Sequence, residues 1–255
     1  MLEQCWRWLG RKVEMKVPLA TALFWVLKVT STGLGESASD ALNHRFDPVV
    51  VVPLSTLALG VLLAVQVVAA RYATLRYWVA VFAVAVVGTM AADALHKGVG
   101  VSYAVSTVFY AVVLAIVLLC WWKVEGTLSI HSITTRRREC FYWAVVLATF
   151  ALGTAAGDLT ATTLGIGFGA SIWLFAGLLA LPGLAYRFLG LGGVAAFWSA
   201  YVLTRPLGAS IADYLAVPAA RGGLGWTYAT VTWVGMAVAA VLLALQFRAD
   251  QRTRR

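Results

Sequence analysis

Charge is what this chain lacks most. Only 12% of its 255 residues are Asp, Glu, Lys or Arg, about half the share of a soluble globular domain. That excludes an ordinary water-soluble enzyme. Disorder is excluded too, because it requires low hydrophobicity and 61% of these residues are hydrophobic. There are three cysteines, Cys5, Cys120 and Cys140. An odd number without metal-ligand spacing is no disulfide framework and reads as free thiols in a reducing compartment. Catalytic signatures are missing as well. The chain has no helical His-Glu-x-x-His and no nucleophile elbow. Gly165, Gly167 and Gly169 alternate, but no strand precedes them, so a dinucleotide fingerprint is absent. The expectation is a protein that is not an enzyme and carries no cofactor.

What is abundant is apolar sequence in long runs. A spanning helix needs about 20 mainly apolar residues. Eight stretches qualify, approximately Pro18–Ala41, Val49–Ala70, Tyr77–Leu95, Ser102–Trp122, Phe141–Thr160, Gly169–Leu189, Gly193–Leu215 and Thr227–Phe247. This predicts an all-α polytopic membrane protein, one membrane domain over 1–255 with a lipid bilayer around it. The first helix reads as a retained span, because no cleavage site of small residues follows the charged start.

The net charge of +9 records topology rather than a nucleic-acid partner. Arg7, Arg11, Lys12 and Lys16 precede the first span, and Arg248, Arg252, Arg254 and Arg255 follow the last. Arg71, Arg76, Lys123, Arg136, Arg137, Arg138 and Arg187 lie in connections on the same side, so fifteen basic residues share it. The other side has Arg45, Lys97 and Arg221. The bias predicts an inner-membrane protein with both termini and the 123–135 loop in the cytoplasm.

Four times the chain reads aromatic, Trp, nine residues, Gly, four residues, Asp. The copies are Phe24, Trp25, Gly35, Asp40; Tyr77, Trp78, Gly88, Asp93; Tyr142, Trp143, Gly153, Asp158; and Phe197, Trp198, Gly208, Asp213. Such a period marks repeated units, here about 17–70, 71–122, 136–189 and 190–247. Each unit reads as a helical hairpin whose first helix carries the motif. The four motif helices then run parallel, with approximate rotational symmetry about the membrane normal. The second helices echo the repeat more weakly, in Ser55, Ser106, Ser171 and Thr230.

On these motifs the chain resembles a family of uncharacterised bacterial integral membrane proteins built of four tandem two-helix repeats, each with a characteristic tryptophan. The resemblance runs from about Val17 to Gln246. It implies the fold and a membrane location, and brings no activity or catalytic residue. The fourth copy departs after its glycine, where Ala209 stands in place of Glu36, Thr89 or Thr154.

The motif residues divide by chemistry. The tryptophans suit either an aromatic belt at the interface or packing and hydrogen bonding between repeats. The glycines suit close helix approach. The aspartates sit near helix C-termini, where the dipole disfavours negative charge, so they do not cap their own helices. They are either solvated, or bonded to a neighbouring repeat, or a ring of carboxylates that binds a cation. Lys28, Thr32, Glu36 and Asp40 follow at fourfold spacing on one helix face, and Arg205 lies in the corresponding helix of the fourth repeat, before Pro206. Lys28 with Glu36, and Arg205 with any carboxylate, are candidate pairs. They either fix the fold or serve function. His44 and His96, next to the acids, either join a metal site or are solvated.

The function expected is that of a transporter or permease for a small solute, a cation or divalent metal first of all. Its pathway residues would be Asp40, Asp93, Asp158, Asp213, Glu36, Lys28, Arg205, Thr89 and Thr154. The alternatives are a small organic zwitterion or anion as the solute, or a scaffold that transports nothing.

Overall fold

The computed structural model describes residues 8–10 and 14–253. Cys5, Arg7, Arg11, Lys12, Arg254, Arg255 and the side chain of Arg252, assigned above to the cytoplasmic side, lie outside them. The described residues form eight long helices and no strand. They are α1 (Ala22–Arg45), α2 (Pro48–Val68), α3 (Thr74–Asp93), α4 (Tyr103–Glu125), α5 (Arg136–Asp158), α6 (Phe168–Phe188), α7 (Gly193–Ala216) and α8 (Tyr228–Thr253).

Local chemistry sets the ends. Thr21, Asp47, Ser102 and Thr135 each accept a backbone N–H of the helix that follows, which satisfies a donor the helix cannot use internally. Gly126 ends α4 in the left-handed region, at φ 69°, where a side chain would be strained. The helix α7 runs unbroken through Pro206. Every expected span has its helix. The first begins later than expected because Thr21 caps it.

Six of the helices are long and apolar enough to cross a membrane, which makes this a multi-pass membrane protein. The two that are not, α1 and α7, are interior helices rich in buried polar groups. Helices α1, α3, α5 and α7 close into an inner ring, each packed on the next and α7 on α1. The even helices lie outside. In α3 and α5, 61% and 67% of the apolar stretch is buried, against 11–17% in α2, α4, α6 and α8.

A repeat in the sequence is not a packing unit. Each outer helix lies on the inner helix of the following repeat: α2 on α3, α4 on α5, α6 on α7, and α8 back on α1. The covalent hairpin therefore reaches across to its neighbour, and the last helix closes the circle. The echo expected in the even helices is also not symmetric. Ser106 and Ser171 are buried, Ser55 is half-buried and Thr230 is exposed beside Thr227.

The connection expected over 123–135 begins at Gly126, because α4 runs to Glu125, and it folds back under the bundle. Ile130 and Ile133 are buried, and the Leu128 carbonyl accepts the Trp198 indole N–H at 2.9 Å. At the same end Lys16 is fully buried. Its ammonium pairs with Glu139 and donates to the carbonyls of Gln66, Val67 and Ala69 at 3.0–3.2 Å. Burial holds the Lys16 amine below its ordinary pKa, and Glu139 opposes that shift. Lys16 is thus an anchor for the entry to α1.

Candidate functional site

The four motifs stack in layers along the axis of the inner ring. The aromatic pairs form the first layer. The leading aromatic of each copy meets the tryptophan of the next: Phe24 with Trp78, Tyr77 with Trp143, Tyr142 with Trp198, and Phe197 with Trp25. Their ring centroids are 5.8, 5.6, 6.2 and 5.5 Å apart. Trp78, Trp143 and Trp198 are buried and Trp25 is half-buried, so the tryptophans pack between repeats. The hydrogen bonding is partial. Trp198 has an acceptor, while the indole N–H groups of Trp78 and Trp143 have none among the described residues. The hydroxyls of Tyr77 and Tyr142 bond each other at 2.5 Å.

The glycines make the next contacts, in the same cyclic order. A methyl group added at Gly35 would strike Ala85, one at Gly88 would lie 2.5 Å from the Phe150 Cβ, one at Gly153 would strike Arg205, and one at Gly208 would strike Thr32. Each obstacle stands three residues before the next copy's glycine. Close approach is therefore why these positions hold glycine.

At the glycine level the axis is filled by one guanidinium. Arg205 is wholly buried. It donates to the Thr32 carbonyl at 2.7 Å and the Phe150 carbonyl at 3.3 Å, and to Glu36 Oε2 and the Thr154 hydroxyl at 2.7 Å each. Thr89 accepts from it as well. The Thr89 and Thr154 hydroxyls each stand 3.2 Å from the same Glu36 oxygen. Glu36, Thr89 and Thr154 are the residues after the glycine in the first three copies. The fourth copy has Ala209 there and supplies the arginine from one turn below. The departure noted in the sequence thus leaves three ligands and one plug.

Lys28 does not pair with Glu36. Eight residues separate them by about 12 Å of helix rise, and helical side chains lean toward the N-terminus, which carries Lys28 further away. Its buried ammonium has no acceptor among the described residues and lies 3.9 and 4.2 Å from the ring centres of Phe150 and Tyr201. Cation–π attraction is what it has in exchange for water.

The aspartates converge at the far end. Asp40, Asp93 and Asp213 are each more than nine-tenths buried. One carboxylate oxygen from each of Glu36, Asp40 and Asp213 lies within 4.8 Å of the other two. Lys97 joins two copies, 2.9 Å from Asp93 and 3.8 Å from Asp40. Asp158 is within electrostatic reach of Asp93, Asp40 and Lys97. Among the described residues no hydrogen bond or ion pair reaches the Asp213 carboxylate, while its backbone carbonyl accepts the Val217 N–H at 2.8 Å. A cavity of about 690 Å³ opens beside Asp40, Asp93 and Lys97, walled by Pro48, Val49, Val52 and Met90. The histidines take no part in the acidic trio. His44 bonds the Asp40 carbonyl at 2.8 Å and His96 the Val101 carbonyl at 2.5 Å, so both tie turns.

Sequence reasoning missed Lys97 as part of this layer, although its spacing of four from Asp93 is an ion-pair signal on a helix. The buried Lys16, Gln66 and Glu139 network carried no such signal, because its members come from three separate segments.

No curated protein and no solved structure matches the chain. Residues 76–127, 141–190 and 196–252 each match the Repeat of Unknown Function (DUF347). These three stretches correspond to the second, third and fourth motif copies, and the first copy completes the same ring. With three such repeats over more than half its length, the chain belongs to the DUF347 repeat family.

Proposed function

We propose that this protein is an eight-span inner-membrane permease with both termini cytoplasmic, which binds small hard cations at its aspartate end and passes them along the inner ring. The observation that carries this reading is the trio of Glu36, Asp40 and Asp213, with oxygens within 4.8 Å of one another at buried positions. Buried carboxylates at that separation repel each other and have lost water. A divalent ion that prefers oxygen ligands relieves both costs. Calcium–oxygen distances put opposing ligands about 5 Å apart, which suits the trio. The Arg205–Glu36 pair then acts as the barrier in the path, because a cation held by Glu36 competes with the guanidinium. A scaffold with a sealed polar core would give the Asp213 carboxylate and the Lys28 ammonium polar partners, and among the described residues neither has a hydrogen-bond partner.

The direct test is calorimetry and vesicle flux with Mn²⁺ and Ca²⁺ on the purified protein. Asp40→Asn and Asp213→Asn should each weaken binding about tenfold or more, and Asp250→Asn, at the opposite end, should leave it unchanged. Equal binding and flux in all four proteins would end the cation reading. A small organic zwitterion is a second reading. It is favoured by the 690 Å³ cavity, which sets Lys97 and two aspartates against apolar walls. Amino-acid flux without ion flux in the same vesicles would decide for it.

Orientation has its own test. In a cysteine-free background, Val99→Cys should react with a membrane-impermeant maleimide in intact cells, and Lys123→Cys after permeabilisation alone. The opposite pattern would invert the assignment.

A further inference from the structure

Among the described residues, the aspartate end gathers five carboxylates, Glu36, Asp40, Asp93, Asp158 and Asp213, and two cations, Arg205 and Lys97. The two cations differ in kind. Arg205 is buried and committed to Glu36 and to four further acceptors. Lys97 has a side chain 57% exposed and touches two acids from different repeats. It stands in a five-residue π-helical turn, Ala94–Gly98, that extends α3. Such turns are uncommon and recur at functional sites. The matching position, four after the motif aspartate, is His44, Thr162 and Val217 in the other copies. The lysine is therefore a feature of one repeat, not of the symmetric frame.

We propose that Lys97 is a tethered competitor for the cation. Its ammonium sits between Asp40 and Asp93, and a divalent ion at Asp40, Asp213 and Glu36 has to displace it. This deepens the cation reading given above and rests on it. Two observations beyond the acidic cluster carry it. One is the ammonium itself, a cation already seated against Asp40. The other is Asp213, more than nine-tenths buried, whose carboxylate faces Glu36 and Asp40 and meets no hydrogen-bond or ion-pair partner among the described residues. Lys97 satisfies one side of the layer and leaves the other unsatisfied. A half-exposed lysine pair is weak, and its flexible four-carbon stem lets the head swing into water. An incoming divalent ion near Asp40 repels the ammonium at short range, so the two exclude each other. The lysine would keep the acids compensated between ions and raise the concentration at which ions are taken up.

The test uses the full-length protein in detergent, with Mn²⁺ and Ca²⁺ as probes. Lys97→Met should bind both about tenfold more tightly than the parent. Lys97→Arg, which keeps the charge, should stay within about threefold of it. The position is exposed, so the variants should elute with the parent in size-exclusion chromatography. Lys97→Gln gives a second neutral side chain should methionine disturb the turn. Unchanged or weaker binding in both neutral variants would overturn the competitor role while leaving the cation reading in place. Binding by none of the proteins, parent included, would remove both.

Discussion

Arg205→Met should cost this protein about 3–5 kcal/mol of stability, the effect of stripping one partner from a buried ion pair. The loss should show as a large fall in the midpoint of thermal unfolding, read by intrinsic tryptophan fluorescence in detergent. The guanidinium and the Glu36 carboxylate are both buried. Without Arg205, Glu36 keeps the two threonine hydroxyls and nothing that offsets its charge. The carbonyls of Thr32 and Phe150 lose a donor as well. The same reasoning predicts rescue. Arg205→Met combined with Glu36→Gln should regain most of the loss, because removing both charges of a buried pair is close to neutral. Arg205→Lys should not rescue, since one ammonium cannot present the planar fork that reaches acceptors on α1, α3 and α5 at once. If the double variant is as unstable as the single one, the arginine contributes by shape and not by charge. If the single variant is as stable as the parent, the axis is not a closed ionic layer.

The height of each layer was legible in the sequence, and its azimuth was not. Constant spacing from Trp to Gly to Asp puts like residues at like levels of parallel helices, since each residue adds about 1.5 Å of rise. The ring of Phe24, Tyr77, Tyr142 and Phe197 against the next copy's tryptophan follows once the four helices close. Spacing along one helix says nothing of what a side chain meets on another. Lys28 and Glu36 share a face of α1 and are still apart, while Arg205 finds Glu36 from the fourth repeat. Mean hydropathy alone understates two helices that the length of the apolar runs picks out. The polar content of α1 and α7 keeps them below the hydropathy of a lone membrane span, yet both are interior helices with their polar groups turned inward. The outer helices are plainly apolar and carry almost none of the chemistry. Their placement on the following repeat's inner helix depends on how connections cross between repeats, and hydropathy does not encode that.

Gly35→Ala should destabilise by about 2–3 kcal/mol, at the upper end of what overpacking a tight interior costs. The added methyl would lie 2.9 and 3.0 Å from the backbone carbon and Cα of Ala85, with the Ala85 methyl nearer still. Backbone atoms of α3 cannot rotate away as a flexible side chain can, so α1 and α3 must move apart. Gly208→Ala faces the same obstacle across α7 and α1, with the Gly33 amide nitrogen 2.8 Å from the new methyl. The helices form a closed ring, and widening one seam disturbs the Arg205 contacts at the same level and the aromatic layer next to it. The contrast is Gly60 in α2, which has nothing within 4 Å of an added Cβ. There the methyl only limits backbone freedom, so Gly60→Ala should leave stability unchanged or raise it by up to about 1 kcal/mol on helix propensity. Thermal unfolding of the three variants side by side separates tight packing from glycine flexibility. Equal destabilisation at Gly35 and Gly60 would mean that flexibility is the cause. Loss confined to Gly35 and Gly208 would mean that the repeated glycine is there to let four helices close around one arginine.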